Sequence, residues 1–217
     1  MTGVQTCALP ISSAGVIGLW AIGFYTPDLQ EQVFSQDLRA QNPDMNEDIL
    51  EAEVTKYKGQ TSLMFQIGAF FGIFAFSTVT GFVGRRLAFV VFLLLAMGST
   101  ALVFMNFRSV GDIYWMVPLM GFCQLSLFGG YAIYFPELFP TRLRSTGTSF
   151  CYNVGRFVAA TGPLALIPLR AAFEHTKTAT DSTLPFRYSG LAMCSIFAIG
   201  LVALFFLPET KGKPLPE

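Results

Sequence analysis

Apolar residues in this chain come in long runs separated by short polar connections. Five runs, each 20 to 23 residues long, contain a single charged residue between them, Arg156. They cover residues 61–83, 87–106, 113–135, 148–169 and 188–207. An α-helix rises about 1.5 Å per residue, so a run of this length spans the roughly 30 Å hydrocarbon layer of a bilayer. The pattern predicts five complete transmembrane helices.

Composition supports the same class. Hydrophobic residues make up 53% of the chain and charged residues only 13%, whereas soluble domains carry roughly 25% charged residues. The four cysteines have no paired spacing and His175 stands alone, so we expect no metal site or redox site. No cofactor, catalytic residue or nucleic-acid partner is predicted, and the expected partner is membrane lipid.

The first residues need separate treatment. Residues 1–12, MTGVQTCALPIS, look like the translation of a sequencing adapter, and we exclude them from the prediction of the fold. Residues 13–26 are then expected to be the remaining part of a helix whose beginning was encoded upstream. With that partial helix, the predicted fold is an all-α membrane protein with six transmembrane helices.

Basic residues lie close to the helix ends on one side only. The connection 84–86, the connection 136–147 and the tail 208–217 together hold six Lys or Arg against three Asp or Glu. The opposite side holds seven against eleven. Because basic connections stay in the cytoplasm, the first side is predicted to be cytoplasmic.

The connection 27–60, on the acidic side, is unusually long. Thr26 and Pro27 are suited to begin a helix, and Leu50 and Val54 follow at helical spacing. We expect an extracytoplasmic loop with two short amphipathic helices.

Three of the runs carry polar side chains at intervals of three or four residues, and two do not. Runs 87–106 and 190–207 are nearly free of polar groups, which is typical of helices surrounded by lipid. The polar stripes contain Ser62, Gln66 and Ser77; Gln124, Tyr131 and Tyr134; and Ser149, Tyr152, Asn153 and Arg156. Each amide could be a hydrogen-bond link between helices or a contact to a solute. Three stripes together favour a shared wet cavity lined by Arg156, Asn153, Tyr152, Gln124, Tyr131 and Gln66.

Arg156 is the most informative of these residues. Counted from Ser145 it lies roughly 16 Å deep at 1.5 Å per residue, too deep for its side chain to reach the cytoplasm by extending along the helix. The five runs contain no Asp or Glu to pair with it. Its partner is therefore either a residue outside this sequence or an anionic solute, for which the planar guanidinium offers a two-pronged donor.

Three motifs resemble the C-terminal half of a major facilitator superfamily transporter. They are PELFPTRLRSTGTSFCYNVGR, the GRR connection and the terminal PETKGKPL. The likeness covers residues 13–217. It implies twelve helices in two six-helix halves, which expose a solute alternately to each side. It also implies that the helices here are numbers 7 to 12, of which 7, 8, 10 and 11 line the cavity and 9 and 12 are peripheral. In that numbering, helices 7 to 12 are residues 13–26, 61–83, 87–106, 113–135, 148–169 and 188–207 in chain order.

The resemblance also assigns roles to the charges on the predicted cytoplasmic side. In the family such residues form ion pairs that close the cavity on that side in the outward-facing state; the alternative is simple anchoring of the topology. The matching residues are Glu137, Arg142 and Arg144 around an E-x6-R element, Arg85 and Arg86 in the connection, and Glu209 in the tail. Gly81 stands where the family has an acidic residue, so one corner of the pattern differs.

The predicted function is transport of a small organic anion, coupled to protons, in the bacterial inner membrane. The glutamine and tryptophan elements of sugar porters are missing, and residues 139–156 look closer to metabolite:proton symporters. A proton-carrying acid would have to come from the missing N-terminal half. A sugar transporter and a non-functional fragment are the alternatives. A membrane enzyme is excluded because the runs contain no nucleophile–base pair.

Overall fold

The computed structural model describes residues 3–178 and 181–216, most of which are helical and none of which forms a strand. The predicted all-α class is therefore confirmed for this part of the chain. The α-helices are α1 (Gly3–Gln41), α2 (Glu47–Val83), α3 (Arg85–Asn106), α4 (Met116–Leu138), α5 (Arg144–Ala159), α6 (Gly162–Phe173), α7 (Leu184–Met193) and α8 (Ser195–Leu204). Short 3-10 helices lie at Val110–Tyr114, Thr141–Leu143 and Glu174–Thr176. The identification of residues 1–12 as an adapter stays a prediction, and residues 1 and 2 lie outside the described part.

The connection between the first two helices is much shorter than predicted. α1 continues to Gln41 and α2 begins at Glu47, so residues 27–60 mostly form the outer turns of two long helices. Asn46 caps α2, since its side-chain oxygen accepts a hydrogen bond from the backbone N–H of Asp48 at 3.1 Å. The expected loop with two separate short helices is corrected accordingly.

The outer turns are amphipathic, which explains both the prediction and its error. Leu50 and Val54 of α2 are buried in the core, and Phe34 of α1 meets Tyr57 of α2 with ring centroids 5.9 Å apart. A narrow apolar face is enough to continue a helix that is already formed. Mean hydropathy falls in such turns, so they resemble a loop in the sequence.

α4 lies at the centre of the bundle, in contact with α1, α2, α3 and α5. α2 packs against it backbone to backbone. A Cβ atom added to Gly68 or Gly72 of α2 would overlap the carbonyl oxygens of Pro118 and Phe122, and Gly121 of α4 is just as close to α2. Small residues at the crossing are typical of helices that associate within a membrane.

The predicted run 148–169 is not one helix but two. α5 ends at Ala159 and α6 begins at Gly162, with a proline in its first turn. The backbone N–H and the hydroxyl of Thr161 both donate to the Val158 carbonyl, at 3.1 and 2.7 Å. Proline lacks an N–H group and crowds the preceding turn, which favours a helix start at this position over a continuous helix. The continuous helix is corrected to a broken one.

Four segments of the described chain are long and apolar enough to cross a membrane. They are Glu47–Val83, Arg85–Asn106, Val110–Leu138 and Leu184–Leu204. Large apolar side chains face outward from the bundle, and Phe82, Phe157 and Phe205 are each more than three-quarters exposed, as lipid contact requires. The chain is thus an integral membrane protein, and the predicted total of six spans remains a prediction.

Candidate functional site

Arg85 and Glu137 form a two-pronged ion pair at the end of the bundle where α3 begins and α4 ends. We call this the basic end. Arg85 Nη2 donates to Glu137 Oε1 at 2.6 Å, and Arg85 Nε donates to Oε2 at 3.0 Å. The side chains are only 19% and 17% exposed. Paired, partly buried hydrogen bonds of this kind are stronger than a single surface contact, so they hold the two helix ends together.

Glu209, in the tail, binds the beginning of α3 rather than a guanidinium. Its carboxylate accepts hydrogen bonds from the backbone N–H groups of Arg85, Arg86, Thr210 and Lys211 at 2.9 to 3.0 Å. Burial opposes ionisation of this carboxyl, but the four N–H donors hold its pKa below the ordinary value of 4.5. A negative charge is also favoured at a helix N-terminus.

Gly84 makes this approach possible. Its φ is +93°, a region that side chains rarely adopt. A Cβ atom there would lie 2.8 Å from a carboxylate oxygen of Glu209. The glycine of the GRR motif is therefore required by both its backbone conformation and the position of Glu209.

Further bonds attach the tail to the basic end. The Thr210 hydroxyl donates to Glu137, and Lys211 Nζ donates to the Phe82 carbonyl at 2.7 Å. The tail thus connects the ends of α2, α3 and α4. It borders a cavity of about 280 Å³ next to Glu137.

The remaining predicted arginines do not join this ion pair. Arg144 Nε donates to the backbone carbonyl of Pro136 at 2.9 Å. It lies in the E-x6-R element with Glu137, whose carboxylate is held by Arg85 instead. Arg142 is exposed and Arg86 is half-buried, and neither forms a salt bridge within the described part of the chain.

Gln124 links two helices in the membrane interior. Its Nε2 donates to Thr100 Oγ1 at 2.7 Å, and the Thr100 hydroxyl donates to the Ala96 carbonyl at 2.6 Å. Both side chains are buried. The sequence left two interpretations of Gln124 open, a hydrogen-bond link between helices and a contact to a solute. In the structure Gln124 forms the link, a hydrogen bond between α4 and α3.

The two tyrosines of α4 are also buried. Tyr131 stacks on Phe135 with ring centroids 4.9 Å apart and the planes 8° from parallel, and its ring lies against Gly15 of α1. The Tyr134 hydroxyl donates to the carbonyl of Pro208 at 2.6 Å. Both side chains are part of the packing of the bundle in this conformation.

Arg156, Tyr152 and Asn153 lie together on α5. The guanidinium carbon of Arg156 is 5.8 Å from the centre of the Tyr152 ring, and Tyr152 meets Phe128 of α4 edge to face at 6.1 Å. Arg156 and Asn153 are exposed. The amide nitrogen of Asn153 donates to the Ser149 carbonyl of its own helix at 2.8 Å. The cation therefore sits at the surface of the bundle beside aromatic rings.

Gln66 is exposed on α2. The six predicted cavity residues lie on α2, α4 and α5, and α2 and α5 both pack on α1 and α4. By their exposure, the six residues separate into two groups. Gln124 and Tyr131 are inside the bundle, whereas Gln66, Asn153 and Arg156 are exposed and Tyr152 is half-buried. The structure does not gather them into one enclosed cavity within this chain.

Arg187 is a buried cation that the sequence analysis missed, because it placed the last span at residues 188–207. It is 3% exposed. Its Nη1 and Nη2 atoms donate to the carbonyls of Phe104 and Phe107, at 2.8 and 2.7 Å. The sequence did hold a signal, since a proline at position 185 marks a helix beginning before Arg187.

Asp181 and Thr183 complete the surroundings of Arg187. Arg187 Nε donates to the Thr183 hydroxyl at 2.7 Å and lies 4.0 Å from Asp181 Oδ2. Burial opposes ionisation of Asp181. Hydrogen bonds from the Thr183 hydroxyl and N–H and the charge of Arg187 nevertheless hold its pKa below the ordinary 3.8.

Comparison with known proteins finds transporters. An 85-residue stretch, 39% of this chain, is 40% identical to human solute carrier family 22 member 11 and covers 13% of that protein. Another of 98 residues, 45% of this chain, is 33% identical to the Escherichia coli inner membrane metabolite transport protein YhjE and covers 20% of it. A longer stretch of 149 residues, 68% of this chain, is 26% identical to a Haemophilus influenzae protein assigned to metabolite transport and covers 34% of it.

No family model matches the chain. The chain spans at most about a third of the length of these curated relatives. All three carry the names of solute carriers or transport proteins, and none is named as an enzyme.

Proposed function

We propose that this chain is part of a secondary transporter of the major facilitator superfamily for small organic anions, a proposal supported by its motifs and by relatives named as a solute carrier and as transport proteins. Transport is by alternating access, in which this bundle and a second six-helix half rock around a solute held near the middle of the membrane. The observation that carries the proposal is the exposed Arg156 in an otherwise apolar stretch.

Arg156 would bind the anionic group of the solute. A guanidinium matches a carboxylate with two parallel N–H···O bonds, which are stronger and more specific than contacts to a neutral group. A charge at this depth is costly unless it faces water, a polar partner or an anion. The neighbouring ring of Tyr152 offers an apolar surface next to the cation. These properties favour an anion over the sugar alternative.

The interruption between α5 and α6 supports the same position. Arg156 lies four residues before Ala160, whose N–H still bonds to the Arg156 carbonyl at 2.9 Å. The helix ends directly afterwards. Broken membrane helices in transporters bring helix ends to the solute near the bilayer midplane, so the break and the cation belong to one proposed site.

The basic end would hold the predicted cytoplasmic side of the bundle. The pair of Arg85 and Glu137 lies between two helix ends and the tail. Ion pairs near water contribute modest free energies and can be broken and formed again during a cycle. Arg86 and Arg142 would pair with carboxylates of the second half, and Arg144 would do so if it releases the Pro136 carbonyl. Part of the predicted charge cluster thus acts inside this half and part between the halves.

We further propose proton symport in a bacterial inner membrane, the location named for the Escherichia coli relative. The apolar runs contain no Asp or Glu. A proton-carrying carboxyl would therefore be supplied by the second half.

Uptake of radiolabelled carboxylates into liposomes tests the proposal. The chain is produced together with its second half and compared with Arg156→Ala. Loss of charged hydrogen bonds to the solute is expected to lower uptake at a limiting concentration about tenfold or more. Arg156→Lys keeps the charge but loses the two-pronged geometry, and we expect an intermediate rate. Arg170→Ala, at an exposed arginine next to Phe186, is the matched control.

Three outcomes decide against the proposal. Unchanged carboxylate uptake in Arg156→Ala would remove the solute contact. Uptake of neutral sugars in preference to carboxylates would favour the sugar alternative. An absence of all uptake by the native pair would favour the non-functional fragment.

A further inference from the structure

α3 lacks suitable charges at its own ends. It has no acidic residue in its first turn and no basic residue in its last. Instead it begins with Arg85 and Arg86, whose positive charges oppose the positive end of the helix dipole. Gly84, at the N-cap, has no side chain to accept from the free N–H groups. The first N–H groups and the last carbonyls of this membrane helix therefore need partners from elsewhere.

A carboxylate from the tail supplies the partner at the beginning of α3. Glu209 Oε1 accepts from the N–H of Arg85 at 2.9 Å, and Oε2 accepts from the N–H of Arg86 at 3.0 Å. These are bonds that a capping side chain normally makes within its own helix. Here the acceptor comes from more than 100 residues away along the chain.

A guanidinium from α7 supplies the partner at the other end. Arg187 donates to the Phe104 carbonyl, in the last turn of α3, and to the Phe107 carbonyl at its C-cap. A cation is favoured at a helix C-terminus. The signs of both charges match the end of the helix to which each binds.

The spacing of the two residues matches the length of the helix they bind. Arg187 and Glu209 are 209 − 187 = 22 positions apart, and α3 has 22 residues. α7 and α8 pack along α3. An antiparallel segment of the same length therefore places one charge at each end.

We propose that the last span and its tail form a two-ended clamp on α3, with Glu209 as a detached N-cap and Arg187 as a detached C-cap. The clamp fixes the position of α3 along α7 and α8, so these helices behave as one unit. Glu209 acts through hydrogen-bond acceptance at the backbone, and not as a member of a side-chain ion pair.

Hydrogen–deuterium exchange of the purified 217-residue chain in detergent tests the N-terminal cap. In Glu209→Ala, the amides of residues 85–88 should exchange at least about fivefold faster, since a capping bond contributes about 1 kcal/mol or more. In Glu209→Gln the amide oxygen still accepts, so exchange should rise clearly less. Exchange at residues 120–130 is the internal reference, and Glu51→Gln, at an exposed carboxylate, is the matched control.

Two results would overturn the N-terminal cap. If Glu209→Gln exchanges as fast as Glu209→Ala, the hydrogen bonds accepted by the side chain at position 209 do not protect these amides. If neither variant changes exchange at residues 85–88, the tail does not cap the helix.

Thermal unfolding tests the other end. Cys123, Cys151 and Cys194 are buried, so a thiol-reactive dye reports unfolding directly in a Cys7→Ser background that removes the fourth thiol. Arg187→Ala is expected to lower Tm by about 8 °C. Arg187→Lys should lower Tm by roughly half as much, because lysine keeps the positive charge but lacks the planar guanidinium that donates to two carbonyls. Arg108→Ala, at an exposed arginine beyond the same end of α3, should shift Tm by less than about 2 °C.

If Arg187→Ala does not fold, Arg187→Lys alone decides the result. A Tm for Arg187→Lys equal to the native value would show that the two α3 carbonyls do not need the guanidinium, and would overturn the C-terminal cap.

Discussion

The basic end and the exposed side of α5 both carry predicted functional residues, but these residues differ in their exposure and in their bonds to other helices. At the basic end, the carboxylates of Glu137 and Glu209 are occupied by donors from the start of α3 and from the tail. On α5, Arg156 and Asn153 are exposed. The groups at the basic end link different elements of the fold, whereas the exposed groups of α5 contact only their own helix in the bonds described above and are the candidates for contact with another molecule or domain.

The comparison changes the meaning of the polar stripes as well. Gln124 and Tyr131 looked equivalent to Gln66 in the sequence, yet the first two are buried in the bundle. Substitutions at the basic end and at Gln124 should therefore act mainly on stability. Substitutions at the exposed positions should act mainly on transport.

The largest stability effect in this comparison is expected for Arg85→Ala. It removes both prongs of the pair with Glu137 and leaves that carboxylate partly buried, so the free energy of unfolding should fall by about 2 kcal/mol. Thermal unfolding in detergent measures the change. Arg142→Ala removes an exposed arginine at the same end and should cost less than about 0.5 kcal/mol. Equal losses in the two variants would contradict the distinction.

Thr100→Val should destabilise the chain by about 1 to 2 kcal/mol, because it leaves the buried amide of Gln124 without its acceptor. The valine has nearly the same shape as threonine, so packing changes little. Combining it with Gln124→Leu should restore part of the loss, since both polar partners are then replaced. A double variant that is worse than the sum of the single ones would argue against the hydrogen bond as the cause.

A smaller effect is expected from acid. Glu209 has a lower pKa in the folded chain than its ordinary value of 4.5. Its ionised form therefore adds stability above pH 4.5, and this contribution is lost as the pH falls through the lowered folded value. Arg85, Arg86 and Lys211 lie around the carboxylate. Tm measured from about pH 6 to about pH 3 should fall more steeply for the native chain than for Glu209→Gln. Parallel curves for the two chains would contradict a stabilising role of the ionised Glu209.

The smallest stability effects are expected at Gln66 and Asn153. Because both are exposed, Gln66→Leu and Asn153→Ala should change the free energy of unfolding by less than about 0.5 kcal/mol. In the chain reconstituted with its proposed second half, both substitutions should still lower carboxylate uptake if the two residues face the solute path. A stability loss as large as that of Thr100→Val would place them inside the structure instead.

Much of the fold could be predicted from the periodicity of the sequence. Runs 61–83, 87–106 and 113–135 lie within helices α2, α3 and the segment Val110–Leu138. Where the prediction differs, a local property outweighs hydropathy. The Gly-Pro step breaks the run 148–169, and the polar outer turns of α1 and α2 continue as helices because one narrow face packs.

The site was less predictable, because a sequence does not show which partner a polar group selects. The motif placed Glu137 and Arg144 in one element, but Glu137 binds Arg85. Arg187 was assigned to a connection, although it is buried in a span and donates to two backbone carbonyls. These hydrogen-bond partners depend on distances in the folded chain, which the spacing of residues in the sequence does not give.

The glycine contact between α2 and α4 has a consequence for studies of motion. With no side chains between the two backbones at Gly68, Gly72 and Gly121, neither helix can rotate or slide past the other without collision. A spectroscopic probe attached to the lipid-facing side of α2, for example at Phe71, would therefore follow the displacement of buried α4. The interior of the bundle becomes observable from a position that labelling reagents reach easily.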